Sequence, residues 1–173
     1  MIAFATILVV MKFSTVYGIP NPYYLHQQCS VPKLNISQLA GEWTALYHKN
    51  NHTKVLTTTF SKVNDNTLMA TMKEGDQIVR TFNLTQRESM PGMLEELINK
   101  GSFTIGVPTF VLKFDPENNY VTLYNGKEDL SDEWAIYGRT KSTLCERCYN
   151  DAVQGLECAG LMKNGSPQLF KLY

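Results

Sequence analysis

A recurring rhythm of short, strand-like segments most constrains how this chain of 173 residues can fold. Runs rich in β-branched and aromatic residues recur at intervals of about ten residues, and clusters of Asn, Asp and Gly separate most of them. The predicted strands are 42–49, 54–63, 67–74, 77–86, 102–107, 109–114, 120–125 and 133–140. Eight short strands joined by short turns predict an all-β domain, either an antiparallel sandwich or a barrel.

Two segments interrupt this rhythm and carry helical features instead. The segment Met90–Lys100 places Leu94, Leu97 and Ile98 at helical spacing, so we predict that it bridges two strands as a helical turn. The segment Ser142–Gln154 begins with a capping serine and stops before Gly155, which predicts a short helix after the last strand.

The N-terminus carries the features of a signal peptide. The run Met1–Met11 is almost wholly apolar, and small residues at Val16 and Gly18 suit a cleavage after Gly18, so we predict a signal peptide over 1–18. The apolar run is too short to span a bilayer, so no membrane insertion is expected. We therefore expect a secreted, extracellular protein. Sixteen basic and sixteen acidic residues without a charged run argue against nucleic acid as a partner.

Export also determines how the cysteines and sequons are interpreted. Four cysteines in an oxidising compartment predict two disulfides with three possible pairings: the residues are Cys29, Cys145, Cys148 and Cys158. A redox dithiol or half of a zinc site at the Cys-Glu-Arg-Cys motif is the less favoured alternative. Four sequons predict N-linked glycans, at Asn35, Asn51, Asn83 and Asn164.

Three motifs in fixed order carry a family resemblance. Gly41-Glu-Trp43 resembles the G-x-W motif of lipocalins, members of the calycin superfamily. The stretch Phe114–Tyr120 is similar to their second motif, with one extra residue and no threonine, and Tyr137-Gly-Arg139 resembles the third. The resemblance spans residues 35 to 155 and suggests a divergent secreted member, with the salivary lipocalins of ticks and other arthropods as one candidate type.

The resemblance implies an all-β, eight-stranded antiparallel up-and-down barrel with one C-terminal α-helix packed on the outside. Residues 19–40 would close the base, 41–140 would form the barrel, and 141–173 would form the helix and tail of the same domain. Gly41, Trp43 and Arg139 would be structural, with the guanidinium stacked on the indole at the closed end. In a barrel of this direction, Cys29 and Cys145 would approach the closed end, so we expect the disulfides Cys29–Cys145 and Cys148–Cys158. The pairing in which Cys145 and Cys148 exchange partners remains an open alternative.

Alternation along each strand then assigns the cavity positions, starting from an inward Trp43. A glycan on Asn83 must point outward, which turns its neighbours inward. Trp134 and Ile136 face out, beneath the helix. Phe114 is also expected to face inward. The expected ligand-binding residues are Ala45, Tyr47, Leu56, Thr58, Phe60, Leu68, Ala70, Met72, Ile78, Arg80, Phe82, Leu84, Phe103, Ile105, Phe110, Leu112, Val121, Leu123, Glu133, Ala135 and Tyr137.

This assignment predicts which turns surround the mouth of the barrel and what kind of ligand the cavity binds. Turns at 48–53, 74–76, 105–108 and 125–132 surround the opening, with the Asn51 glycan near it. Arg80 either reaches water at the rim or pairs with a cavity carboxylate or a ligand oxygen. Apolar walls with sparse polar groups predict a small hydrophobic ligand, a sterol such as cholesterol or a fatty acid. The alternative without a ligand is a lumen that its own side chains fill.

Other functions remain as alternatives. The outer surface could act on a cell-surface receptor, for example as a salivary modulator of the host immune response, with the lumenal ligand only structural. A scavenger of biogenic amines would use inward acids, of which Glu133 is the one strong candidate. No nucleophile motif, carboxylate pair or metal-ligand spacing stands out, so we expect no enzymatic activity, cofactor or metal. We also expect the protein to be a monomer.

Overall fold

The fold is described for residues 22–126, 132–162 and 169–172 of a computed structural model. The predicted signal peptide, the Asn164 sequon and most of the predicted 125–132 turn lie outside the described residues. Within the described ranges, no helix has the length and apolar character needed to cross a membrane.

Eight antiparallel strands close into an up-and-down barrel, which confirms the predicted fold class. Consecutive strands pair with each other, and β1 pairs with both β2 and β8, which closes the sheet. The strands are β1 (Gly41–His48), β2 (Leu56–Asn64), β3 (Thr67–Glu74), β4 (Gln77–Arg87), β5 (Met90–Lys100), β6 (Phe103–Asp115), β7 (Tyr120–Gly126) and β8 (Asp132–Gly138). Two α-helices, α1 (Pro22–Cys29) and α2 (Glu146–Cys158), pack against the sheet, a 3-10 helix (Ile36–Leu39) precedes β1, and a short β9 (Phe170–Lys171) pairs with the end of β1.

The fifth strand occupies Met90–Lys100, where the sequence predicts helical turns, so that prediction is wrong. Leucine and glutamate favour helix in isolation, but here they pair with β6 along the whole segment from Met93 to Lys100. Segments 102–107 and 109–114 consequently form one strand, β6, instead of two. The turn at this end is therefore 101–102, with Gly101 at φ 65°, and the predicted mouth turn at 105–108 is strand.

β-bulges and register shifts break the alternation of inward and outward side chains at five places. Single extra residues are Leu46 in β1, Val63 in β2, Val79 in β4 and Leu112 in β6, and the pairing of β4 with β5 also shifts between Gln86 and Arg87. A bulge adds one residue to one strand only, so the side chains beyond it face opposite to a strict period of two. The side-chain directions predicted from one end of these strands therefore fail at the other end.

The bulges place four predicted cavity residues outside the lumen. The Tyr47 ring packs at a tilt against that of Tyr149 in α2, with 4.7 Å between ring centroids, and Ile78 is 63% exposed. Phe110 and Leu112 lie in the apolar cluster beneath the helices, because the inward direction of Phe114 does not extend back through the bulge at Leu112. Phe114 itself faces in, as predicted, and meets Trp43 edge-on.

Two separate apolar clusters result. The inner cluster fills the half of the barrel nearest the start of β1, which we call the base; its barrel members are Trp43, Ala45, Phe60, Leu68, Ala70, Leu84, Leu94, Val111, Val121, Leu123, Ala135 and Tyr137. The outer cluster lies between the sheet and α2, and contains Phe110, Leu112, Tyr120, Tyr124, Trp134, Ile136, Cys148, Ala152, Leu156 and Ala159. Trp134 and Ile136 thus face outward, as predicted, and belong to the same cluster as Ala152 and Leu156 of α2.

Helix α2 begins and ends later than the sequence predicts. Cys145, not Ser142, is the N-cap, and its sulfur accepts a hydrogen bond from the Cys148 amide at 3.0 Å. The helix also continues through Gly155, which the prediction treats as its stop. A Cβ on Gly155 would lie 2.8 Å from Cγ of Lys113, so this glycine permits close packing of helix on sheet.

The two disulfides are Cys29–Cys158 and Cys145–Cys148, so the predicted pairing is wrong, as is its exchanged alternative. Helix α1 lies against α2, which brings the C-terminal ends of the two helices together, with 5.7 Å between the Cα atoms of Cys29 and Cys158. Cys145 and Cys148 lie within one turn, with their Cα atoms 5.1 Å apart. The third possible pairing is therefore the one the fold allows.

The base is closed by the contact that the family resemblance implies. The Arg139 guanidinium lies 3.8 Å from the centroid of the Trp43 ring, and its Nη2 donates to the Gln38 carbonyl at 2.8 Å. The indole Nε1 donates to the Leu39 carbonyl at 2.7 Å. Gly41 has φ 107°, and a side chain there would overlap Arg139, so only glycine suits this position.

Burial of His26 makes the free energy of unfolding depend on pH. The His26 ring lies 4.2 Å from that of Tyr124, and its Nδ1 has no hydrogen-bond partner among the described residues. Burial lowers the pKa of His26, and the negative charge of Asp132 opposes this to a smaller extent. The unfolded chain therefore takes up the proton first, so stability should fall as the pH drops below about 6.5.

Urea unfolding of the wild type and of His26→Phe at pH 7.5 and 5.5 tests this expectation. The phenylalanine variant should lose less stability between the two pH values than the wild type, since all carboxylates are common to both proteins. Equal losses in the two proteins would contradict it.

Candidate functional site

A cavity of about 270 Å³ opens at the mouth, the end of the barrel opposite the base. Six strands contribute its lining, which consists of Met72, Val79, Arg80, Phe82, Glu96, Val107, Thr109, Asn125, Gly126 and Glu133. A narrow throat continues below it, between Thr58, Phe60, Met72, Phe82, Leu84, Thr109, Leu123, Asn125 and Tyr137. Because the inner cluster fills the base, the open lumen is a funnel from the mouth to mid-barrel.

An ion pair crosses the cavity wall between β4 and β5. Arg80 Nη2 lies 2.7 Å from both carboxylate oxygens of Glu96, and its guanidinium stacks on the Phe82 ring. The Arg80 side chain is 45% exposed and that of Glu96 is 12% exposed. Both interpretations from the sequence therefore hold in part, since Arg80 reaches solvent and also pairs with a cavity carboxylate.

The same two strands are only partly paired. Their register pairs are Thr85 with Glu95, Gln86 with Leu94 and Arg87 with Met90, all toward the base. Nearer the mouth, the described parts of β4 and β5 form no ladder, and Val79, which lines the cavity, is 55% exposed. The Arg80–Glu96 pair thus connects two strands whose backbones are not joined there, so the cavity wall is weakest at this point.

The remaining polar groups complete a ring at the cavity wall, which we call the collar: Arg80, Glu96, Thr109, Asn125 and Glu133. Thr109 Oγ1 donates to Asn125 Oδ1 at 2.8 Å. Burial raises the pKa of Tyr137, just below in the throat, to about 12; Thr58 opposes this shift and Glu133 adds to it. Its hydroxyl therefore stays protonated at neutral pH. One guanidinium and two carboxylates leave the collar with a net negative charge.

The structure distributes the predicted cavity residues over three depths. Those that line the cavity or throat are Thr58, Phe60, Met72, Arg80, Phe82, Leu84, Leu123, Glu133 and Tyr137. Those within the inner cluster, or packed against it, are Ala45, Leu56, Leu68, Ala70, Phe114, Val121 and Ala135. Phe103 and Ile105 lie at the start of β6, near the mouth, and the former is 60% exposed.

Sequence reasoning missed the inner-cluster residue Leu94. It also missed several lining residues, namely Val79, Glu96, Val107, Thr109, Asn125 and Gly126. Leu94 and Glu96 were hidden by the helical interpretation of β5. Continuing the alternation from Phe103 through Pro108 would have identified Val107 and Thr109, since the strand does not stop at the proline. No sequence signal distinguishes the bulge that brings Val79 into the wall.

Three of the four predicted glycosylation sites fall on described residues, and Asn35, Asn51 and Asn83 are all exposed. Asn83 lies beside the buried Leu84, so its side chain faces outward. Their glycosylation stays a prediction. Among the described residues, no set of His, Cys, Asp and Glu is arranged to hold a metal ion.

Comparisons with solved structures give the fold a name. Insecticyanin from the tobacco hornworm Manduca sexta is 14% identical, with a TM-score of 0.54 over 77% of this chain and 78% of that one. A mutant of LTBP1 in complex with leukotriene C4 is 14% identical, with a TM-score of 0.56 over 86% and 93%. Lobster apocrustacyanin A1 is 19% identical, with a TM-score of 0.52 over 79% and 78%. No protein-family model and no curated protein matches the chain. The chain has the lipocalin fold.

Proposed function

We propose that this chain, which has the lipocalin fold, binds a small hydrophobic ligand of the sterol or fatty-acid type at the mouth of its barrel. The observation that carries the proposal is the funnel, whose apolar throat ends in a polar collar. Ligand pockets commonly combine apolar walls with a few oriented polar groups. LTBP1, which shares the fold, has been crystallised with leukotriene C4, and this observation about that protein supports a small-molecule ligand here.

The size and charge of the cavity limit the class of ligand that it can bind. A volume of about 270 Å³ lies near the lower limit of about 300 Å³ for ligand pockets, so one end of the ligand would enter while the remainder extends past Val79. The collar's net negative charge disfavours a carboxylate head, because the only guanidinium in the lining is already paired with Glu96. A neutral hydroxyl head, as in a sterol, suits these groups better than a fatty acid.

A second candidate is a cationic amphiphile such as a biogenic amine. The sequence offers one inward acid, Glu133, but the structure adds Glu96 to the same cavity. An ammonium group between the two carboxylates would be favoured electrostatically. Displacement of a bound fluorescent sterol by cholesterol, oleate and tryptamine, each tested separately, ranks the neutral, anionic and cationic heads.

Secretion is part of the same proposal. The apolar N-terminal run and two disulfides support an oxidising, extracellular environment.

Substitution of Met72 tests the site directly. Met72 lines both cavity and throat, so Met72→Trp should fill the passage and weaken binding of a fluorescent sterol or fatty-acid probe at least tenfold. Met69 lies three residues away on β3 but is 38% exposed on the outer face, so Met69→Trp is a matched control that should bind normally. Fluorescence titration with each purified protein gives the dissociation constants.

Two results would contradict the proposal. Equal affinities of the two variants would place the ligand elsewhere. Native mass spectrometry and organic extraction of the secreted protein that found no lipid, together with failure to bind any of the three ligand classes, would leave the lumen without a ligand.

A further inference from the structure

We infer that Cys145–Cys148 is a thiol–disulfide exchange site for an external dithiol, separate from the barrel cavity. The two disulfides of this chain differ sharply in what they connect. Cys29–Cys158 joins residues 129 apart and links α1 to the end of α2, whereas Cys145–Cys148 joins residues three apart within one turn. A short closed loop restricts the unfolded chain far less than a long one, so this second disulfide contributes little to chain restriction.

The helix is held in place without the short disulfide. Lys113 Nζ lies 3.0 Å from Asp151, the Tyr120 hydroxyl donates to the same carboxylate at 2.5 Å, and the Thr122 hydroxyl donates to the Ala152 carbonyl. Ala152 and Leu156 are fully buried, and Cys29–Cys158 ties the other end of the helix. Opening Cys145–Cys148 therefore leaves α2 docked on the sheet.

The two sulfurs are placed unequally, as exchange requires. Cys145 is exposed, whereas Cys148 is only 8% exposed, so an incoming thiolate reaches the Cys145 sulfur first. The Cys145 sulfur also accepts the Cys148 amide at the start of a helix of thirteen residues. A hydrogen bond from a backbone amide, the helix dipole and the adjacent Arg147 all favour the thiolate form of Cys145.

The surroundings leave room for a thiol-bearing peptide. The disulfide forms the ridge between two surface clefts, both of which Cys145 and Cys148 line. One cleft is polar and includes Asp115, Glu117 and Arg147, while the other runs past Leu46, Gly138 and Leu144. The ridge lies at the base of the barrel, beside Asn118 and Asn119 of the β6–β7 turn, so exchange would not obstruct the mouth.

The reaction balances with a dithiol as the co-reactant. One thiolate of the dithiol attacks the Cys145 sulfur, the Cys145–Cys148 bond breaks, and its electron pair leaves on the Cys148 sulfur, which takes up a proton. The second thiolate of the dithiol then attacks the other dithiol sulfur, which is bonded to Cys145 in the mixed disulfide, and Cys145 leaves as a thiolate. The dithiol is oxidised to a disulfide, and the protein gains two electrons and two thiols.

Graded reduction of the secreted, oxidised protein tests the inference. With increasing dithiothreitol, acid quenching, alkylation and peptide mapping should find Cys145 and Cys148 modified at concentrations at least tenfold below those that open Cys29–Cys158. The tryptophan bands of the near-UV circular dichroism should not change during this first step, whereas the weak contribution of the disulfide itself is lost. Simultaneous opening of both disulfides, or loss of the tryptophan bands with the first, would show that the bond is structural and overturn the inference.

Single-cysteine variants separate an activated thiol from mere exposure. In Cys148→Ser, the pKa of Cys145, read from the pH dependence of iodoacetamide alkylation, should lie below the ordinary value of about 8.5. After treatment with a disulfide reagent, the protein should also form a stable mixed disulfide with a reduced model peptide that carries a single cysteine, because such a peptide has no second thiolate to release Cys145. Cys145→Ser is the matched control and should react at least tenfold more slowly at pH 7. An ordinary pKa in the first variant, or equal rates in the two, would refute the exchange role.

Discussion

Replacement of Trp43 by alanine should lower the free energy of unfolding by about 3–5 kcal/mol, the range for loss of a buried tryptophan. Trp43 is 1% exposed, packs in the inner cluster and supports Arg139 on its ring. Its removal leaves a cavity at the base, an orphaned Leu39 carbonyl and an unstacked guanidinium. Chemical denaturation followed by circular dichroism measures the loss.

Two further variants divide this effect into its causes. Trp43→Phe keeps an aromatic face for Arg139 but removes the hydrogen bond to the Leu39 carbonyl, which should cost about 1–3 kcal/mol. Arg139→Ala removes the stacking and the contact with the Gln38 carbonyl, and the stacking itself is worth about 0.5–2 kcal/mol. A loss below about 1 kcal/mol for Trp43→Ala would show that the base is not closed as described.

The double substitution Cys29→Ala and Cys158→Ala should cost about 2–5 kcal/mol, the usual range for loss of a native disulfide. These residues are 129 apart in sequence, and the chain-entropy relation for so long a loop gives about 5 kcal/mol at 25 °C. The disulfide also joins α1 to α2, whose side chains cover the outer cluster. Urea unfolding under non-reducing conditions gives the difference.

The second disulfide provides the control. Cys145→Ala with Cys148→Ala opens a loop of sequence separation three, for which the same relation gives about 2 kcal/mol. We therefore expect the first double variant to be the less stable by several degrees in Tm. The reverse order would mean that the N-terminal turn of α2, not the link between the helices, limits stability.

Some features were predictable from the sequence, either through the family resemblance or through local rules. The resemblance implied that Arg139 stacks on Trp43, and the structure has this contact, with Gly41 leaving room for the guanidinium. Strict alternation also placed Thr58, Phe60, Leu68 and Ala70 correctly, because β2 and β3 pair without a shift over those residues. The outward direction of Trp134, which belongs to the outer cluster, followed from the same rule.

Features set by long-range pairing were not predictable in the same way. A β-bulge depends on the partner strand, so nothing in the sequence of β1 alone indicates that Leu46 is the extra residue between Ala45 and Tyr47. The segment Met90–Lys100 resembles a helix locally and becomes a strand because β6 offers it a full-length partner. That single misassignment also concealed Glu96, and with it the second carboxylate of the collar.

The predicted disulfide pairing was wrong for a related reason. The position of a cysteine relative to the barrel strands indicates which end of the barrel it approaches. Helices α1 and α2, however, lie side by side outside the barrel, and no sequence pattern indicates that these two helices are in contact. Cys29 meets Cys158 because the C-terminal ends of both helices come together.

The short strand β9 has a consequence for how the chain is made. Between Gly41 and Thr44, β1 pairs with β2, but at Tyr47 and His48 it pairs with Phe170 and Lys171, and Leu172 donates its amide to the Leu46 carbonyl. Strand β1 is synthesised early, whereas β9 lies at the last described residues of the chain. During translation, the part of β1 at Tyr47 and His48 must therefore wait with an unpaired backbone edge until Phe170 and Lys171 have left the ribosome. An exposed strand edge is the kind of surface on which nascent chains associate wrongly, so truncation before Phe170 should increase aggregation during synthesis more than it lowers the stability of the finished barrel.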